Sequence, residues 1–251
     1  MPTTPAALTG TSSYVTSIAD SAEQVRAAQR LRHLVFGEEL GATLNPALAG
    51  HDTDAFDGLA DHLIVTESTT GEVVGTYRLL PPGRTERSYS DGEFDLSALA
   101  GIRSSMIEAG RSCVHPDHRS GAVINLMWAA LARYVLLSGH RYLAGCASVA
   151  LGDGGRTAAS AWALCAAKHT PPEGMTVHPH RPWEPSAQAT AAAVPGLAQV
   201  PPLFRGYLRL GAWVCGAPAY DPEFDVADFF VVLDMEQLND RYYRYFLGES
   251  R

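Results

Sequence analysis

The chain has 251 residues, 46% hydrophobic and 18% charged, an ordinary globular balance and enough length for one full core. Its formal net charge of -8 excludes general attraction to nucleic acid or anionic lipid, so an acidic partner must meet a local patch. Lys168 is the sole lysine among 19 basic residues; arginine suits phosphate and carboxylate forks, and equally reflects a coding bias.

Residues 1–12 lack a charged and then apolar leader and read as a loose tail, with residues 13–251 as one domain. Tyr14 to Ile18 alternates with β-branched residues, which predicts a first strand. Asp20 or Ser21 caps a helix running to about Leu40, with Val25, Leu31, Leu34 and Val35 inward and Gly41 as its stop. The polar loop HDTDAFDGLAD follows. His62–Glu67 and Glu72–Leu80 predict an antiparallel hairpin around Thr69-Thr70-Gly71. Residues 83–104 look irregular, except that Asp95 or Ser97 starts a turn of helix in FDLSAL.

Residues 108–138 read as a strand, a polar turn and an amphipathic helix. Ile124, Met127, Leu131 and Val135 recur at helical spacing and mark the buried face. The unpaired amides at the start of this helix, around Ser120 to Val123, make a natural phosphate seat. Its apolar run, Ala122 to Leu137, is too short for a bilayer and contains Arg133. Arg141–Ala150 predicts a buried strand, parallel to 108–114 because a helix crosses between them. Arg156–Lys168 predicts an alanine-rich helix, 169–202 a proline-rich insertion or lid, PPLFRGYLRL a helix ending at Gly211 with a strand after it, and DFFVVLD a last strand. RYYRYFL closes the chain as a helix. The sum is α/β: a twisted mixed sheet with helices on both faces. Cys113, Cys146, Cys165 and Cys215 show no metal-ligand spacing, so no metal is expected and reduced thiols in a cytoplasmic protein are. Contact with a membrane surface stays open.

Several motifs, in shared order from about residue 30 to 233, resemble the Gcn5-related N-acyltransferases (GNAT), and more closely the ornithine acyltransferase, or hemolysin-like, branch. They are RLRHLVFGEE, DAFDGLADHLIV, VVGTYRLLP, FDLSAL, EAGRSCVHPDHRSGAVINLMWAALARY, YLAGCASV and VPPLFRGYLRLGAWVCGAPAYDPEFDVADFFVVL. A more distant resemblance reaches acyl-homoserine-lactone synthases and N-acyl amino acid synthases through Arg32 with Phe36, Asp54 with Asp57, Arg78, and Glu108 with Arg111. The family implies a twisted sheet with splayed parallel strands at the donor cleft. It also implies transfer of a fatty acyl group, often 3-hydroxylated, from acyl carrier protein to the α-amine of ornithine, with no tightly bound cofactor. The alternatives are another amine acceptor, acyl-CoA as donor, or a non-catalytic sensor of acyl ligands. The common acetyltransferase loop [QR]xxGx[GA] is departed from in HRSGAV, where His118 and Val123 replace its basic and last small residues.

Direct transfer needs a neutral amine, a donor for the oxyanion and a proton for the thiolate. Glu108, on the strand before the turn, is the candidate base; otherwise it is the ion-pair partner of Arg111 or Arg78. Those arginines align Glu108, fork onto a substrate carboxylate, or sit at an exposed edge. Asp54, Asp57 and Asp61 bind the ammonium groups of ornithine or are an ordinary solvated loop. Arg32 and Phe36 share a helical face and shape the amine pocket, or Phe36 is core. Val114, Arg119, Ser120, Gly121 and Ala122 form the donor-phosphate seat. Tyr207 resembles the tyrosine of a YxxxGF segment that protonates the leaving thiolate, or packs in the core. Arg119, Arg133, Arg141 or Arg156 meets the acidic carrier. Ser112 lacks a nucleophile elbow, an HxxxxD signature is absent, and His178-Pro179-His180 is an isolated exposed HxH.

Overall fold

The structure, a computed structural model, describes residues 9–10, 13–44 and 48–238. The tail expected over 1–12, Thr9–Gly10 excepted, and the helix expected over RYYRYFL lie outside the described residues. In chain order the elements are β1 (Thr9–Gly10), β2 (Tyr14–Ile18), α1 (Ala22–Arg32), a π-helix (His33–Glu39), β3 (Asp61–Glu67), β4 (Val73–Leu80), β5 (Phe94–Asp95), β6 (Met106–Val114) and α2 (Ala122–Leu137). They continue as β7 (Tyr142–Ala150), α3 (Arg156–Lys168), β8 (His178–Pro179), α4 (Ala187–Ala191), α5 (Pro202–Leu210), β9 (Trp213–Val214), β10 (Ala219–Asp221) and β11 (Val226–Asp234).

Ser21 caps α1 by accepting a hydrogen bond from the Gln24 amide, as its residue type favours. The helix expected to run to Leu40 is α-helical only to Arg32 and then widens into the π-helix. Apolar spacing over so few residues does not separate the two ladders; the widening shows in the Leu40 amide reaching back five residues to the Val35 carbonyl. Of the four residues expected inward, Leu31 and Val35 are buried, while Val25 and Leu34 are half-buried.

The chain packs as two compact units. The first comprises the chain up to Arg84 together with Ile107–His140. Its strands pair antiparallel in the order β1-β2-β3-β4-β6. Side chains alternate across a sheet, so β3 serves both faces. Ile64 packs with Ala28, Leu31 and Val35 of α1 and its π extension, while Val65 lies under α2. Gly75 makes that second contact close, since a Cβ there would stand 2.8 Å from Val123 Cγ1 and 2.9 Å from Met127 Sδ.

The second unit comprises Thr85–Met106 and, of the described residues, those from Arg141 onward. β11 pairs antiparallel with β7 over nine residues, and with β9 and β10. One face of β7 and β11 presents Ala147, Val149, Phe229 and Val231 to α3 and α5. The other face presents Ala144, Phe230 and Val232 to Phe94, Leu96 and Leu99. Residues 169–202 are packed into this unit through buried Val177, Ala189 and Val200, and the Val177 amide bonds the Cys215 carbonyl. The four cysteines are free thiols; Cys113, Cys165 and Cys215 are buried and Cys146 is half-buried. No helix of the described residues is long and apolar enough to cross a membrane.

Candidate active site

In the first unit the site is built on a buried charge network. Arg32, 0% exposed, sits where α1 gives way to the π-helix. Its Nη1 and Nη2 donate to the Asp57 carboxylate at 3.0 and 2.7 Å, and Nε stands 2.9 Å from Asp52 Oδ2. Arg78, on β4, reaches Asp54 at 2.5 Å and Asp57 at 3.1 Å. Arg111, on β6, meets Asp52 at 3.3 Å and Asp54 at 3.4 Å. Gln29 adds a donor to Asp57 at 2.9 Å, and a ring nitrogen of His62 lies 3.0 Å from its carbonyl. Burial works to raise the Asp57 pKa, but the Arg32 hydrogen bonds and the charges of Arg32 and Arg78 prevail and hold it at about 2.

Three arginines thus balance three aspartates. The structure brings Arg32, Asp54, Asp57, Arg78 and Arg111 together and adds Asp52. It leaves the 52–57 loop no surplus negative charge for a diamine. Asp61 stands apart, accepting a hydrogen bond from Tyr134 and pairing with Arg84 at 3.3 Å. Phe36 is half-buried against the α1 cluster.

A β-bulge sets the aim of Arg111. Thr76 pairs with Cys113 but Arg78 pairs with Gly110, so β6 carries an extra residue there. Arg111 takes φ 51°, outside ordinary strand geometry. Glu108, buried at 8% exposure, precedes the bulge and pairs across to Leu80.

Beyond β6 a 3-10 turn, Pro116–His118, leads to Gly121, which starts α2 with φ 96°. No side chain among the described residues caps this helix, so its first amides face outward with the positive end of a 16-residue dipole. Ser120, Gly121 and Ala122 line that end. Arg119 Nε donates to the Val114 carbonyl at 3.1 Å, and its fork closes on Glu39 at 2.6 and 2.7 Å. The Arg119 hydrogen bonds lower the Glu39 pKa. His118, in the family's basic position, has Nδ1 2.9 Å from the Tyr14 hydroxyl.

Tyr207 belongs to the second unit, where it lies against the α3–α5 core. Sequence reading missed a carboxyl group cluster in that unit. Glu93, Asp221 and Asp228 place carboxyl oxygens within 4.8 Å of one another, close enough to share a cation. Burial, then the charge of Asp228, pushes the Glu93 pKa up to about 9. Ser148 donates to Asp228 at 2.5 Å, and the Cys146 thiol to Glu93 at 3.4 Å. The only sequence signal was the acid-rich run YDPEFDVAD, from a hairpin that brings its ends together.

The acetyltransferase (GNAT) domain family matches residues 31–129, which span the charge network, the bulge and the turn. Over 93% of this chain and 95% of the relative, 35% of residues are identical to L-ornithine N(alpha)-acyltransferase of Rhodobacter capsulatus. The Brucella abortus protein of that name is 33% identical, over 93% of this chain and 88% of its own. The chain belongs to this family. It is a GNAT-fold acyltransferase. The fold is shared by the AHL synthase LasI, with TM-score 0.55, 13% identity and coverage of 95% of this chain and 96% of that one. It is shared too by FeeM, an N-acyl amino acid synthase from uncultured soil microbes, with TM-score 0.52, 14% identity and coverage of 90% and 94%. Acyltransferase chemistry fits the geometry: a buried carboxyl group at Glu108, a helix N-terminus with no side-chain cap, and arginines on the neighbouring strands β4 and β6 fixed by carboxylates.

Proposed function

We propose that this protein transfers a fatty acyl group, with or without a 3-hydroxyl, from the phosphopantetheine thioester of acyl carrier protein to the α-amine of ornithine, giving lyso-ornithine lipid in the cytoplasm. The observation that carries the reading is the 32–35% identity to four ornithine acyltransferases across 93–94% of this chain. The α-amine suits direct transfer: with a pKa about 8, deprotonation at neutral pH costs roughly 1.4 kcal/mol, against roughly 4.6 for a side-chain amine near 10.4.

In this mechanism Glu108 takes the amine proton, directly or through one water, as the nitrogen attacks the thioester carbonyl. The C–S bond breaks as the tetrahedral centre collapses, the sulfur leaves with the electron pair, and Tyr207 protonates it. The amides of Ser120, Gly121 and Ala122 hold the donor phosphate, with Val114 as the strand end beside it and Arg119 turning from Glu39 to the phosphate. Arg32, Asp54 and Asp57 are positioning residues, keeping Arg78 and Arg111 fixed so that they align Glu108. Phe36 packs behind them, and Asp61 holds the loop end through Tyr134 and Arg84. Residues 169–202 cover the acyl chain.

The test is mass spectrometry of reactions containing the purified protein, carrier-bound and CoA-bound acyl donors, and mixed amino acids including ornithine. Acyl-ornithine formed from the carrier thioester alone is the expected product. The same product from acyl-CoA alone would replace the donor, another acylated amine would replace the acceptor, and donor binding without any amide would make the protein a sensor.

A further inference from the structure

Beside the carboxyl cluster the second unit carries a cavity of about 310 Å³. It lies within the roughly 300–1,000 Å³ of small-ligand sites and is far larger than a bare ion needs. Glu93, Asp221, Tyr89, Tyr220 and Arg181 are in its wall. Asp221 is only 7% exposed, and its one hydrogen bond among the described residues comes from the Glu223 amide to Oδ1. Glu93 Oε1 is shut off from solvent with no hydrogen-bond partner among those residues. Neither carboxyl group has an ion pair with arginine, lysine or histidine there. Asp228 stands behind them, fixed by Ser148.

Buried carboxyl groups that repel one another and lack a cation are costly in the empty protein, so an incoming cation gains what the fold leaves unsatisfied. At the rim the reverse charge is available. Arg181 is exposed, makes no ion pair among the described residues, and has its guanidinium 4.8 Å from the Tyr220 ring centroid. Its backbone is tied to the same wall, because the Tyr220 amide donates to the Arg181 carbonyl at 2.8 Å. The wall therefore carries charge of both signs: the buried Asp221 and the partly buried Glu93, and, among its exposed side chains, Arg181 and Glu223.

We propose that this cavity recognises an α,ω-diamino acid, its side-chain ammonium on Glu93, Asp221 and Asp228 and its carboxylate on Arg181. The assignment rests on the ornithine reading and gives it a specificity site distinct from the 52–57 loop, whose aspartates are already matched by arginines. A divalent ion fits less well. The cavity exceeds what a bare ion fills, and one oxygen of Glu93 is already taken by the Cys146 thiol.

The test compares L-ornithine with L-norvaline, the same skeleton without the second amine, using the full-length protein in both turnover and direct calorimetric binding. Asp221→Asn and Glu93→Gln should each raise the ornithine KM by about 30-fold or more, leave the donor KM within about 3-fold, and erase the preference over norvaline. Exposed Arg181→Gln carries little folding risk and should weaken both amino acids alike, by about 10-fold. If wild type makes acyl-ornithine while all three variants keep its KM within about 3-fold, the cavity assignment is overturned and the ornithine reading stands. Calcium or manganese binding that depends on Asp221 and is indifferent to ornithine also overturns it. Ornithine binding that Asp221→Asn abolishes, in a protein that acylates some other amine, supports the cavity and removes ornithine as acceptor.

Discussion

At Asp57 burial and pairing oppose each other, and the direction of the pKa shows that pairing wins. The folded carboxyl group, held at about 2 rather than 3.8, contributes stability that is present above pH 4 and is lost as pH falls from about 4 towards 2. Asp57→Asn should abolish that part of the acid transition. At neutral pH it should cost about 3–5 kcal/mol, since Arg32 and Arg78 lose a buried counter-charge; urea unfolding across pH 2–7 measures both effects. An unchanged acid transition would show that another carboxyl group controls it. Glu108 makes a different prediction, because its proposed role is in proton transfer. Glu108→Gln preserves shape while removing the base, so kcat should fall by about 10²–10⁴ with the donor Kd nearly unchanged. A matching loss of donor affinity in equilibrium binding would make Glu108 a binding group instead.

Among the elements, α2 decides whether the donor turn is correctly placed. Gly75 lets the helix lie directly on β4, where a side chain would meet Val123 and Met127 below 3 Å. Gly75→Val should therefore cost about 1–3 kcal/mol through overpacking. By tilting the start of α2 it should raise the donor KM more than the acceptor KM, a split that steady-state kinetics resolves. The regular elements were legible in the sequence: the apolar spacing of Met127, Leu131 and Val135 marks α2, and a glycine turn marks the β3–β4 hairpin. Two irregular ones were not. The π-helix keeps an apolar pattern that an α-helix also satisfies over seven residues. The β6 bulge hangs on Arg111 taking positive φ, a conformation that its residue type does not announce. Both irregularities sit beside the arginines of the network, where the backbone has to leave its regular path to aim a side chain.

Across the whole molecule, charge is distributed against its own total. With a net charge of -8 the protein repels an acidic carrier at long range, so docking needs a local positive site that screening by salt will weaken. The sequence offered four arginines for this without showing which were already engaged. Arg119 forks onto Glu39, and Arg141 pairs with Asp234 at 2.6 Å and Glu236 at 2.8 Å. Each of those carboxylates is distant in sequence from its arginine, as Glu93 is from Asp221 and Asp228, which is why neither the pairs nor the cluster could be read before the chain was folded. Arg156 differs. It is exposed at the start of α3, and among the described residues it makes no ion pair; its Nε donates to the Asp153 carbonyl. Arg156→Glu should raise the KM for a carrier-bound acyl group by about 10-fold at low ionic strength, with the penalty shrinking as salt rises towards 0.5 M, roughly a 4 Å screening length. The same acyl group on a pantetheine fragment, which has no acidic protein surface, should be used equally by both forms. A penalty that persists with the fragment would mean that Arg156 serves the fold or the donor thioester rather than the carrier, and the docking surface would have to be sought away from α3.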